Sequence, residues 1–178
     1  MKIHPRRVVA AAAAVVALVV ATALVVVPAV ATPPSPEVMT TPIGMGHFTN
    51  IDTNVKTDID PGAATEFWRA RIKTNRSSDL YVLENRIPPG KTFGWHSHPG
   101  PSLVIVKAGT ASFYLAADPT CAAHVVPTGS GFVDQGHDVH VVRNQGSVDL
   151  VMVVVSLVPA GFDRRIDEPN PGNCPFSA

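Results

Sequence analysis

The chain has 178 residues, of which 46% are hydrophobic and 16% charged, and its formal net charge is zero. That length favours one compact domain, and the composition supplies enough apolar side chains to bury a core, which excludes a disordered chain. A zero net charge excludes the basic footprint of a nucleic-acid binder. Seventeen prolines and thirteen glycines punctuate the sequence into short segments, which predicts an all-β protein.

The first segment reads as an export signal. Lys2, Arg6 and Arg7 form a positive flank, and Val8 to Val27 is an uncharged run of Val, Ala and Leu with Thr22 as its one polar residue. Ala29-Val30-Ala31 fits a small-x-small cleavage site. Residues 1–31 are therefore expected to be a signal peptide or an uncleaved anchor, since the run is also long enough to span a bilayer. Cleavage is favoured, because alanine is weakly hydrophobic and Pro28 breaks the helix just before the site. Either way residues 32 onward lie outside the cytoplasm, secreted or in the cell envelope, with membrane contact only through an uncleaved N-terminal segment. Without residues 1–31 the chain has eleven basic and fourteen acidic residues, a net charge of −3.

Residues 32–60 begin with Thr32-Pro33-Pro34-Ser35-Pro36 and read as a flexible tether followed by an N-terminal arm or edge strand. Residues 61–160 read as the folded body. Phe67 to Lys73 alternates, with Arg69, Arg71 and Lys73 on one face and Trp68, Ala70 and Ile72 on the other. Further strands are expected at Leu80–Ile87, Thr92–His98, Ser102–Ala108, Thr110–Leu115, Val125–Val126, Gly131–Val133, His140–Arg143 and Val148–Val158. The last is almost wholly apolar, as for a strand covered on both faces or facing a packed interior. Many short strands with frequent turn signals predict a sandwich or barrel. Residues 161–178 form a Pro/Gly-rich tail expected to wrap the outside.

Cys121 and Cys174 are the two cysteines. An even count in an exported chain predicts a disulfide, with two unpaired thiols as the alternative.

Two histidine groups carry the chemistry. His96 and His98 sit at i and i+2, so on a strand both project to one side and can chelate one ion. His140 lies on a separate strand and can supply a third imidazole from across the interior, with His137 as its rival. Three imidazoles suit a transition metal better than Mg or Ca. Asp138 is a candidate extra ligand or hydrogen-bond acceptor for an imidazole, or else a solvated turn residue. His47, His124 and Arg143 are read as outside the site. Phe93, Trp95, Phe113 and Tyr114 are read first as core and second as pocket lining.

These segments resemble the paired motifs of the cupin superfamily. Gly90, His96, His98 and Gly109 match the first motif in spacing, with Ser102 standing where the motif carries Glu. Gly136, His140 and Asn144 match the second, with one extra residue before the histidine and no proline. The resemblance implies a single antiparallel jelly-roll barrel with a ligand site inside, and a divalent metal such as Fe, Zn, Mn, Ni or Cu. It implies a small-molecule ligand or substrate, a homodimer, and an activity such as that of an oxygenase. A non-catalytic small-molecule or metal binding module of the envelope is the alternative. Without the glutamate the expected site is His96, His98 and His140 alone or with a recruited ligand, or else a metal-free relic.

Overall fold

A computed structural model describes residues 30–59 and 67–176. Among these residues there is no helix, so none is long and apolar enough to cross a membrane. The expected signal or anchor falls almost wholly on residues 1–29, which lie outside the described residues.

Twelve strands follow in order: β1 (Met39–Phe48), β2 (Asp52–Asp58), β3 (Phe67–Lys73), β4 (Ser78–Ile87), β5 (His96–Ser97), β6 (Ser102–Ala108), β7 (Thr110–Leu115), β8 (His124–Pro127), β9 (Gly131–Asp134), β10 (His140–Arg143), β11 (Leu150–Pro159) and β12 (Ile166–Asp167). One five-stranded sheet runs β1-β4-β11-β6-β9 and a second runs β12-β5-β10-β7-β8, with antiparallel pairing throughout.

Alternation along the strands builds the core. Leu150, Met152, Val154, Ser156 and Val158 of β11 are buried, and the residues between them are half-buried. This explains why the strand is apolar almost throughout: one face meets the core and the other is partly covered. Val104, Val106, Ile87 and Met152 of the first sheet pack with Ala111 and Val142 of the second, so the two sheets share one apolar cluster. Trp95, Tyr114 and Val141 form a second cluster with Phe176 and the Cys121–Cys174 disulfide.

The structure departs from the sequence expectations in four places. Among the described residues β2 and β3 pair only with each other, and the apolar face of β3 is open, with Trp68 54% and Ile72 47% exposed. Alternation marks a two-faced strand, but only a neighbouring layer makes one face inner. Thr92–His98 is not a continuous strand, because Gly94 takes a φ of 74°. The stretch expected to be a free tether is docked. Thr32 N–H donates to Glu168 O, the Trp95 N–H donates to Thr32 Oγ1 at 2.8 Å, and the Ser35 N–H donates to Thr92 O at 2.9 Å. A Cβ at Gly94 would lie 2.2 Å from Thr32 O, so this approach needs glycine. Finally, the tail does more than wrap the surface, because β12 extends the second sheet alongside β5.

Candidate metal centre

Backbone geometry brings the three histidines together. His96 of β5 and His140 of β10 are direct register partners, with ring centroids 4.2 Å apart. His98 follows two residues after His96 on the same side, 4.9 Å between centroids. One ligand atom from each of the three lies within 4.8 Å of the others, and the three residues are 2–5% exposed.

The extra residue in the second motif is absorbed by a tight turn. The Asp138 N–H donates to Gly136 O, Gly136 has a φ of 79° and His137 a φ of 60°. This loop points His137 to solvent and returns His140 to the interior. A Cβ at Gly136 would meet the Gly100 backbone at 2.8 Å, so no larger residue fits there. The two motifs also touch at their far ends, where the Gly90 N–H donates to Asn144 O and the Asn144 N–H to Lys91 O. Asn144 is buried and its amide donates to Ile87 O and Val148 O, a turn-forming role.

Each imidazole is oriented by a backbone carbonyl. Nδ1 of His96 lies 2.8 Å from Gly94 O, Nδ1 of His98 2.6 Å from Arg164 O, and Nδ1 of His140 2.8 Å from Asp138 O. A carbonyl only accepts, so each Nδ1 carries the proton and each Nε2 presents a lone pair. Asp138 therefore acts through its carbonyl, not its carboxylate. Arg164 does so from the tail, a contribution that no sequence motif announces.

Burial keeps these rings neutral. It pushes His96 well below the usual histidine range, with His140, Arg165 and His98 adding to the effect. It pushes His98 down to about 4. His140 is lowered by burial too, against the opposing pull of Asp134.

Asp134, at the end of β9, is the acidic group that sequence reading passed over. Its Oδ2 lies 3.3 Å from His98 Nε2 and 3.7 Å from His140 Nε2, and Oδ1 accepts the Gly136 N–H at 3.0 Å. The available signal was its strand position, two residues before the second-motif glycine. Ser102, by contrast, is turned to Ser156, with the two hydroxyls 2.7 Å apart.

The cluster opens on a cavity of about 30 Å³, lined by the three histidines, Asp134, Ser102, Asn85, Arg164 and apolar groups including Phe93, Phe132 and Met152. That volume holds one or two water-sized groups. The Arg165 guanidinium stacks on Phe93, 4.8 Å from the ring centroid. Its Nε donates to Asp167, while Nη1 and Nη2 are buried without a hydrogen-bond partner among the described residues. Phe93 thus lines the cavity, as does Phe132, whereas Trp95 and Tyr114 pack elsewhere in the core. His47 pairs with Asp79, His124 is exposed beside Phe113, and Arg143 stacks on Phe176, all outside the cluster.

Residues 84–156 match the family described as the cupin domain, and this segment contains His96, His98, Ser102, Asp134 and His140. The segment from residue 84 to residue 156 is thereby assigned to the cupin domain family. Among solved structures it is similar to a cupin-like protein from Thermotoga maritima, at 18% identity over 65% of this chain and 74% of that one, with a TM-score of 0.44. A conserved protein with a double-stranded β-helix domain from Klebsiella pneumoniae is 19% identical over 46% of this chain and 69% of that one, with a TM-score of 0.40. An oxalate oxidase is 22% identical over 46% of each chain, with a TM-score of 0.39. The chain therefore spans under half the length of that oxidase. No curated protein matches the chain.

Proposed function

We propose that this is an exported jelly-roll cupin that binds a divalent transition metal through His96, His98 and His140 and uses it on a small anionic ligand. One observation carries the reading. Three buried imidazoles each spend Nδ1–H on a backbone carbonyl, leaving three Nε2 lone pairs converging with no donor from the described residues between them. Buried acceptors facing one another are costly unless a cation or a hydrogen-bond donor lies among them. Carbonyl-oriented imidazoles are also how proteins present histidine to a metal. The donor set suits Fe, Zn, Mn, Ni or Cu.

The strand orders β1-β4-β11-β6-β9 and β12-β5-β10-β7-β8 support the jelly-roll reading. The signal-like N-terminus and the Cys121–Cys174 disulfide support export.

When bound, the metal supplies Lewis acidity or redox chemistry. The protein's part is to hold three neutral ligands rigidly, to exclude bulk water with Phe93, Phe132 and Met152, and to favour negative charge through Arg164 in the wall and Arg165 stacked on Phe93. A cavity this small admits a ligand of a few atoms. The enzyme form of this reading is an oxygenase or related small-molecule catalyst. A second reading, a non-catalytic binding module, is favoured by the lining itself. Apart from the histidines, its titratable groups are Asp134 and Arg164.

The test is metal content of protein expressed through an export pathway without chelators, against the His96→Ala/His98→Ala double variant. Near-stoichiometric metal in the parent and none in the variant supports the proposal. A parent that stays apo after metal replenishment overturns it.

A further inference from the structure

We infer that Asp134 is a fourth metal ligand, supplying from β9 the carboxylate that Ser102 lacks on β6; this rests on the metal reading above. The family motif places its carboxylate at the position Ser102 occupies. Here that serine is committed to Ser156, and its register partner on the adjacent strand is Asp134. Neighbouring strands lie about 4.8 Å apart, so a carboxylate shifted by one strand reaches the same space.

Three features make Asp134 a ligand rather than a solvated acid. It is 4% exposed, so its charge must be compensated inside the protein. Its Oδ1 is held by the Gly136 N–H, which aims Oδ2 at the histidines. Oδ2 then lies 3.3 and 3.7 Å from two Nε2 atoms whose protons sit on Nδ1. Those contacts are acceptor against acceptor. They are also close to the roughly 3.4 Å edge between two donors each about 2.1 Å from a tetrahedral ion. Asp134 changes the chemistry of the site, because an anionic ligand lowers the net charge of a 2+ centre with three neutral histidines from 2+ to 1+. No motif Glu is then required for a carboxylate-containing set.

Asp134→Asn is the decisive variant, since its amide oxygen still accepts the Gly136 N–H while the other position becomes a donor. Full-length mature protein is loaded with Co(II), and affinity is read by chelator competition alongside the visible absorption spectrum. The expected result is at least tenfold weaker Co(II) binding and a changed spectrum in Asp134→Asn, with the melting temperature in excess chelator equal to or above the parent's. Asp134→Ala serves as a second variant with the same expectation for affinity. Equal affinity and an unchanged spectrum in both would overturn the inference while leaving the three-histidine site standing. A fall in melting temperature of the same size with and without metal would also overturn it, by making the role structural. A parent that binds no Co(II) would overturn the metal reading itself, and this inference with it.

Discussion

Ser102 and Asp134 face each other across β6 and β9, and the carboxylate of Asp134 rather than the hydroxyl of Ser102 reaches the histidine cluster, 3.3 Å from His98 Nε2. The site is therefore not a motif with one member missing. Its acidic group is on the adjacent strand, fixed by the turn that also sets His140.

The choice of third imidazole is directly testable. His140→Ala is expected to weaken metal binding at least about 100-fold, beyond what loss of an outer-sphere partner costs. His137→Ala, on the exposed side of the turn, is expected to leave metal binding within twofold. Mass spectrometry of purified protein decides between them, and equal metal loss in both variants would contradict the assignment.

Small anions should bind beside the metal. The two Nη groups of Arg165, which find no partner among the described residues, together with Arg164 in the cavity wall, favour negative charge. Formate is expected to raise the melting temperature of the metal-loaded parent. Arg165→Lys, which keeps the charge and loses the fork, is expected to weaken formate binding about tenfold. Formate binding that is indifferent to Arg165→Lys would remove that residue from the ligand site.

The metal-free protein should lose stability on acidification. His98 titrates near 4 in the folded state because of burial, against about 6.5 unfolded, and burial lowers His96 and His140 as well. Between those pH values the unfolded chain binds more protons, so stability present above pH 6.5 is lost as pH falls toward 4. The slope is at most about 1.4 kcal/mol per pH unit for each histidine. Urea unfolding in chelator at pH 7.5, 6 and 5 measures it, and a flat profile would contradict the neutral-imidazole assignment.

The disulfide couples the tail to the site. Cys121 and Cys174 close a span of 53 residues, a constraint of about 4 kcal/mol on chain entropy. The same tail delivers the Arg164 carbonyl to His98 and β12 to β5. Cys121→Ala/Cys174→Ala is expected to lower stability by about 2–4 kcal/mol and to weaken metal binding as well. Denaturant unfolding and chelator competition read the two effects separately.

Trimming the N-terminal segment should cost stability despite its loop-like composition. A chain starting at residue 39 loses the acceptor of the buried Trp95 N–H and the Ser35 bonds to Thr92. It is expected to be about 2 kcal/mol or more less stable than one starting at residue 32, as measured by urea unfolding. Equal stability would mean that the docked segment contributes nothing net.

Local pattern was enough for much of this protein. Ser102–Ala108, Thr110–Leu115 and His140–Arg143 follow from short β-prone runs bounded by glycine and asparagine turns, and they coincide with β6, β7 and β10. His96 and His98 were legible as a pair because positions i and i+2 share one side of a strand, whereas His140 was favoured over His137 by its motif spacing to Asn144, and the three rings do come together. What tertiary structure decided were relations between residues distant in sequence. Trp68 and Ile72 share the apolar face of an alternating strand, yet no layer of the described residues covers them. Thr32–Pro36 has a linker's composition, yet Gly94 leaves room for it to dock. Asp134 looks like any strand-end acid until β9 is set beside β6, and Arg164 and Arg165 look like tail residues until β12 pairs with β5. Composition and period report which way one segment faces. Which charge enters which cavity depends on the register between strands, and that is set by the packing of the whole chain.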